Sequence, residues 1–105
     1  MIAIKLPVLR RRAMALFPFV FFKDYKDKSD PVLVNHERIH LAQQIELLIL
    51  PFYLIYLVNY LYNLIDTGDH EKAYRNIIFE KEAYQREQDT GYLAKRKKYN
   101  YFFYL

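Results

Sequence analysis

The pattern of apolar and polar positions divides the chain into an N-terminal extended segment and a helical remainder. An apolar run covers residues 13–22 and contains Pro18, which argues against a helix interior or a central strand. Ten residues are also too few to cross a bilayer as a helix. The run therefore predicts a strand or a buried extended segment, with an uncleaved amphipathic anchor as the alternative.

A first helix is predicted over residues 31–50. Asp30 can accept hydrogen bonds from the free backbone N–H groups at its start, and the fixed φ of Pro31 suits the first helical position. Pro51 interrupts the helical pattern, so a second, apolar helix is predicted over residues 52–65. We expect a break at Pro51 between the two.

A third helix is predicted over residues 70–89, because Gly68 suits the end of one helix and Asp69 the cap of the next. Residues 92–105 carry a basic run followed by an aromatic run and form a tail. The chain is therefore predicted to be one domain, 1–105, of the mainly α class. It should have a minimal core of three helices and a short N-terminal strand or extended segment.

Composition narrows the classes of protein that fit this pattern. The 105 residues are 53% hydrophobic and 18% aromatic, with few Gly and Pro, which excludes a disordered chain. There is no cysteine, so disulfides and thiolate chemistry are excluded. The net charge of +4 suits an anionic lipid surface, and no nucleic-acid-binding motif accompanies it, so no nucleic-acid partner is expected.

The pentapeptide His36-Glu37-Arg38-Ile39-His40 lies well inside the first predicted helix. Two histidines four residues apart project from one helix face, so both imidazoles can bind one Zn²⁺. Glu37 then lies where a general base can act on a metal-bound water. The plainer interpretation is a pair of surface histidines beside an acid.

A catalytic zinc needs a third protein ligand, and Glu80 is the candidate on the third helix. Apolar residues at 73, 77 and 84 share a face with it in steps of four, three and four, which predicts that Glu80 is buried. A metal would offset the cost of burying that carboxylate. Glu82 is expected on a more mixed, solvated face, and His70 is the competing third ligand.

Two short segments resemble a known motif pair. H-E-R-I-H at 36–40 and E-K-E-A at 80–83 resemble the H-E-x-x-H and E-x-x-A arrangement of gluzincin-type metallopeptidases. With Gln43 and Gln44, the first segment is also similar to the H-E-x-x-H-x-x-Q-Q segment of small bacterial zincin-like metallopeptidase families. The resemblance covers about fifty residues of the chain.

The resemblance implies a zincin-like core with specific residue roles. His36, His40 and Glu80 would be the zinc ligands, and Glu37 would be the base. Several such families have an aspartate after E-x-x-A that hydrogen-bonds a ligand histidine, whereas this chain has Tyr84 there. The groups that orient the ligands are therefore not identified by the resemblance.

An apolar stretch of nineteen residues, 47–65, is long enough in principle to span a bilayer. A straight span would leave the histidine pair on one side and Glu80 on the other, so a shared zinc requires 52–65 to fold back or lie along the membrane surface. Basic runs at 10–12 and 95–98 favour anionic headgroups. We expect a membrane-associated protein at the cytoplasmic face of the inner membrane.

Two functions follow from these features. The first is a membrane-associated zinc metallopeptidase, which hydrolyses a peptide or protein substrate by attack of a zinc-bound water activated by Glu37. The alternative is a non-catalytic structural or assembly subunit that keeps the metal motif and docks on membrane lipid or a larger membrane protein complex. The chain offers little for a substrate cleft besides the strand candidate at 13–22, which could pair with an extended substrate.

Overall fold

A computed structural model describes all residues, 1–105, and has a mainly α fold. With the 3₁₀ turns included the chain is 62% helical, and it has five α-helices and a small three-stranded sheet, which confirms the predicted fold class. The strands are β1 (Ile2–Lys5), β2 (Ala13–Leu16) and β3 (Phe19–Phe22). The helices are α1 (Pro31–Leu47), α2 (Ile49–Thr67), α3 (His70–Arg75), α4 (Ile78–Arg86) and α5 (Tyr92–Lys95), and 3₁₀ turns cover Tyr25–Ser29 and Asn100–Tyr104.

The N-terminal segment forms a three-stranded sheet in the order β1-β3-β2. The predicted extended run is a hairpin, because β2 and β3 pair antiparallel on either side of the turn that contains Pro18. The additional strand β1 pairs parallel to β3. One face of the sheet packs on α1, where Val20 and Phe22 are fully buried against Leu41. The sheet therefore covers one side of the helix that carries H-E-x-x-H.

The break between the first two helices lies at Leu48, three residues before its predicted position. Leu48 has a φ of 65°, in the left-handed region, and separates the two helices. Pro51 lies in the first turn of α2, where a backbone N–H would have no partner within the helix. Proline is therefore tolerated there, and the break moves upstream.

The third predicted helix is divided in two at Asn76 and Ile77. Ile77 is extended, with φ −60° and ψ 131°, so α4 starts in a new direction. The Asn59 side chain of α2 accepts a hydrogen bond from the Ile78 N–H at 2.9 Å, which replaces a helical partner lost at the break. This change of direction lays α4 along α1, while α3 packs along α2.

The C-terminal tail packs back onto the helices. Tyr101 is fully buried against Phe52 and Phe79, and Tyr92 packs against Ile39 and Ala83. The tail thus closes the side of the α1–α4 pair that the sheet leaves open.

Candidate metal centre

Three side chains from α1 and α4 converge in the interior. His36 and His40 lie one turn apart on the buried face of α1, and α4 brings Glu80 against them. The Nε2 atoms of the two histidines are 3.2 Å apart. Glu80 Oε1 lies 3.2 Å from the Nε2 of His36 and 3.0 Å from that of His40. All three residues are buried, with exposed fractions of 3–6%.

The hydrogen bonds of the two histidine Nδ1 atoms show which ring nitrogens carry lone pairs where the three side chains meet. His36 Nδ1 donates to a carboxylate oxygen of Glu87 at 2.8 Å, and His40 Nδ1 donates to the amide oxygen of Gln43 at 2.8 Å. With the protons on Nδ1, both Nε2 atoms offer lone pairs. Two lone pairs and a carboxylate oxygen therefore face one another with no hydrogen between them.

Such an arrangement requires a positive charge at its centre. Tetrahedral ligands at the ~2.0–2.1 Å bond lengths of zinc lie about 3.3 Å apart, close to the 3.0–3.2 Å seen here. The buried His-His-Glu group can hold a metal ion. Without a metal, a proton on one imidazole is the remaining way to relieve the repulsion.

Electrostatics in the metal-free protein reflect this convergence. Burial lowers the pKa of His40, but the adjacent Glu80 carboxylate outweighs burial and raises that pKa to about 9. Burial raises the pKa of Glu80, yet the charge of His40 and the hydrogen bond that protonated His40 donates outweigh burial and hold the pKa well below its usual range. The pair therefore exists as imidazolium and carboxylate when no metal is bound.

Glu37 lies beside this group and has a different role. Its side chain is buried, accepts no hydrogen bond from the protein, and faces a cavity of about 330 Å³ that His40 and Glu80 also line. Burial raises the pKa of its carboxyl above the usual range, which brings it closer to that of a base working near neutral pH. An unpaired buried carboxylate at the cavity wall is available for proton transfer.

The cavity lies between the sheet and α2. Ala13 and Ala15 of β2 form one wall, and Phe52 and Tyr53 of α2 form the opposite one. Tyr74 of α3 also lines the cavity, and the Cζ atom of the Arg11 guanidinium lies over its ring, 3.8 Å from the ring centroid. Arg11 is also paired with Glu71 at 3.2 Å, so it ties the N-terminal segment to α3 beside the cavity.

The structure does not bring the competing third ligand into this group. His70 is exposed at the start of α3, and its Nδ1 shares a 2.7 Å hydrogen bond with the hydroxyl of Tyr60. Tyr84, which replaces the aspartate of the resembling families, packs edge-on against His36 with ring centroids 4.4 Å apart. Glu80 is thus the carboxylate that meets the two histidines.

The prediction that Glu82 lies on a solvated face is wrong. Glu82 is fully buried, because the tail places the Arg96 guanidinium against it, with Nε 2.6 Å from Oε2. Burial raises the pKa of Glu82, but hydrogen bonds from Arg96, Tyr92 and Gln43 outweigh it and lower that pKa. Glu82 is therefore buried instead of solvated, because a cation from elsewhere in the chain pairs with it.

Sequence reasoning also missed the residues that orient the ligands. Gln43 and Glu87 hold the histidine Nδ1 atoms, and the hydroxyl of Tyr56 donates to Glu80 Oε2 at 2.7 Å. Spacing gave a signal for two of them, since Gln43 follows His36 by seven residues and Glu87 follows Glu80 by seven. Seven residues are about two helical turns, which returns a side chain to the same face.

A scan against protein-family models, a search of curated proteins and a search of solved structures each found no match to this chain. The gluzincin resemblance therefore rests on the two motifs.

Replacing the third ligand tests the metal centre. Glu80→Gln should weaken zinc binding by at least ~10–100-fold, because it removes the only carboxylate in the group. His70→Ala should leave zinc affinity unchanged, since His70 contacts only Tyr60 through its ring. Competition titration with a chromophoric chelator measures both, and loss of zinc in His70→Ala alone would exclude the assigned ligand set.

The metal-free protein should become less stable as pH rises above neutrality. Because the folded-state pKa of His40, about 9, exceeds its unfolded value near 6.5, the folded protein binds an extra proton between these pH values. This stabilisation is fully present below about pH 6.5 and is lost as pH rises through 9. Urea unfolding midpoints should fall over this window, and His40→Gln should flatten the profile. A midpoint that rises with pH in the metal-free protein would contradict the assignment.

Proposed function

We propose that the protein is a membrane-associated zinc metallopeptidase of the gluzincin type that hydrolyses a peptide bond. The observation that carries the proposal is the convergence of His36, His40 and Glu80 beside an unpaired, buried Glu37, where Glu37, His40 and Glu80 line one cavity. Ion-pair networks bury carboxylates elsewhere in proteins, but they do not leave an adjacent acid without a partner. A base and a cation-binding group side by side are what hydrolysis requires.

Zinc is the metal that this ligand set favours. Two imidazole nitrogens and one carboxylate oxygen form the three-ligand pattern of hydrolytic zinc sites, which leaves a position open to the cavity. When bound, zinc would act as a Lewis acid that polarises the scissile carbonyl. The protein contributes fixed ligand orientation, through the hydrogen bonds that Glu87, Gln43 and Tyr56 make to the ligands.

Glu37 would move the protons in this reaction. Its carboxylate would take a proton from the water that attacks the peptide carbonyl and later pass it to the leaving amine. Burial raises its pKa, and a carboxylate with a raised pKa accepts a proton more readily. The absence of any protein hydrogen bond to Glu37 leaves both carboxylate oxygens free for this transfer.

The edge of β2 offers a place for substrate backbone. Arg12 O accepts a hydrogen bond from Lys23 N, so alternation places the peptide groups of Ala13 and Ala15 on the outer edge. The Ala15 carbonyl is already occupied by Gln44 and Tyr53.

Gln44 also occupies the next backbone position along this edge, because its amide oxygen accepts a hydrogen bond from the Phe17 N–H at 2.7 Å. A helix side chain thus occupies the positions where a paired strand would continue. An extended peptide would therefore pair over a short stretch centred on Ala13, which favours short or terminal peptide segments as substrate.

This short edge also gives weight to the second candidate function. A subunit that keeps the metal site for stability alone would need no longer substrate groove, and its exposed apolar surface would dock on a membrane protein complex. Stoichiometric zinc with no hydrolysis of any peptide would favour this alternative.

The membrane location is supported by α2, whose polar side chains face the protein and whose aliphatic side chains face outward. The polar side chains of α2 bond inward to the protein, through Tyr53, Tyr56, Asn59, Tyr60 and Asn63. The outward face is almost entirely aliphatic and exposed, with Leu50, Leu54, Ile55, Leu57, Val58, Leu61 and Ile65 beside one tyrosine, Tyr62. A soluble helix has the reverse arrangement.

A lipid bilayer is the surface that matches this outward face. By length and composition α2 could cross a membrane, but α3 and α4 pack along its inner face, so it would lie in the plane of the bilayer. Exposed Lys97 and Lys98 lie in a loop near the start of α2. Glu46 holds this loop by accepting hydrogen bonds from the Arg96 guanidinium and the Tyr99 N–H. Cations beside an aliphatic face fit anionic headgroups.

Glu37→Gln tests the catalytic part of the proposal. The amide keeps the size of the side chain but cannot accept the proton, so kcat/KM for a quenched-fluorescent peptide should fall at least ~100-fold. Zinc content should be unchanged, because Glu37 holds no ligand in place. Metal analysis and kinetics on the same preparation separate the two effects, and an active Glu37→Gln enzyme would remove Glu37 as the base.

Vesicle sedimentation tests the membrane part. The protein should bind phosphatidylglycerol vesicles, and Leu54→Gln with Leu61→Gln should reduce binding at least ~10-fold by removing buried aliphatic surface. Val8→Gln is the control, because Val8 is more exposed than Leu54 or Leu61 but lies outside α2. Lys97→Gln should weaken binding about fivefold on anionic vesicles only. A wild-type protein that stays in the supernatant would exclude lipid as the partner.

A further inference from the structure

A line of buried polar contacts runs from the metal centre to the C-terminal segment. His40 Nδ1 donates to Gln43 Oε1 at 2.8 Å, and Gln43 Nε2 donates to Glu82 Oε1 at 2.9 Å. Glu82 in turn accepts from the Arg96 guanidinium at 2.6 and 3.1 Å. Gln43 and Glu82 are both fully buried, so water does not compete for these contacts.

The direction of the contacts depends on how the Gln43 amide is turned. Its two ends have the same shape, so packing alone does not choose between them. Gln43 Nε2 faces two groups that can only accept, the Phe79 carbonyl at 3.1 Å and the Glu82 carboxylate. A flipped amide would place its oxygen against both acceptors, which costs two hydrogen bonds and adds repulsion. The amide oxygen must therefore face His40.

Glu82 sets this orientation because each of its hydrogen bonds is one that it accepts. Arg96 supplies two of the donors, one to each carboxylate oxygen, so the oxygen that faces Gln43 is held as an acceptor. Arg96 is itself held by Glu46 at 2.9 Å. The Tyr92 hydroxyl donates to the same carboxylate.

We propose that Arg96, acting through Glu82 and Gln43, fixes the Nδ1–H tautomer of His40 and thereby presents its Nε2 lone pair to the metal. Arg96 is a positioning residue, since it touches no ligand of the metal. The C-terminal segment, fifty-six residues from His40 in the sequence, is thus part of the metal site. The proposal rests on the metal-binding part of the proposed function and is independent of peptide hydrolysis.

The other histidine provides an internal comparison. His36 Nδ1 donates directly to the carboxylate of Glu87, a group that can only accept in any orientation. His36 therefore needs no third residue to fix its tautomer. His40 is bonded to an amide, whose direction is reversible, and so depends on the groups behind it.

Exchange of the amide and the carboxylate tests the relay. In Glu82→Gln the new amide can donate to Gln43, so only the Phe79 carbonyl still opposes a flip of Gln43. In the flipped orientation His40 shifts its proton to Nε2, and zinc affinity should fall about 10–100-fold. Gln43→Glu should also weaken zinc binding, because two carboxylates then face each other. The double variant Gln43→Glu with Glu82→Gln restores an acceptor at His40 and a donor behind it, with the original net charge.

The double variant should bind zinc more tightly than either single variant, which a loss of packing alone would not produce, but more weakly than wild type because the Phe79 carbonyl loses its donor. The ¹⁵N shifts of His40 in the zinc-loaded protein should show Nδ1–H in the wild type and the double variant. Lys95→Gln is the control, since it removes a charge from the same segment but pairs with Asp89, outside the relay, and should change zinc affinity by less than about threefold. Thermal unfolding verifies that each variant is folded.

Two results would overturn the proposal in distinguishable ways. Wild-type protein that binds zinc, with a double variant no tighter than either single variant, would exclude the relay and leave the metal site intact. Wild-type protein that binds no zinc would exclude the metal site and the relay together. Unchanged zinc affinity in Glu82→Gln, with Nδ1–H retained on His40, would also exclude the relay.

Discussion

Burying the Glu80 carboxylate between two imidazoles is favourable only if a cation lies among them, and the surrounding structure is arranged to meet that condition. Eight of the 22 buried residues are polar or charged, a share that would destabilise a small core if the groups lacked partners. Seven of the eight have side-chain hydrogen bonds within the protein, and Glu37 at the cavity wall is the exception. The core is therefore organised by hydrogen-bond direction as much as by apolar packing.

The breaks between helices help to place Glu80 against the two histidines. A continuous helix over 70–89 would keep one axis, whereas the extended Ile77 lets α3 follow α2 and α4 follow α1. Asn59 stabilises that break by accepting from the Ile78 N–H, so an α2 side chain helps to set the direction of α4. Glu80 lies in the first turn of α4, directly after the break, and its position depends on that direction.

Local periodicity was sufficient where the relevant contacts repeat with the helix. The histidine pair and the mainly α class follow from spacing along a helix. Glu80 is buried as predicted, but the apolar positions used to predict it belong to two helices, because the predicted helix is divided at Asn76 and Ile77. Periodicity failed for Glu82, because its partner Arg96 lies beyond a turn and a short helix, in a segment that composition alone describes as a basic tail. It also misplaced the first break, since a proline in the opening turn of a helix does not interrupt it.

The proposed membrane location and the proposed metal site constrain each other through α2. Tyr53 and Tyr56 line the cavity from the inner face of this helix, while its opposite face is aliphatic and exposed. A helix with its side chains is about 10–12 Å across, so a bilayer against the outer face would lie about one helix diameter from the cavity. At that distance the cavity would lie at headgroup depth, where an extended segment next to a membrane anchor would be within reach. The short open edge of β2 would suit the same kind of segment, because few backbone contacts would be needed if the membrane concentrated the proposed substrate.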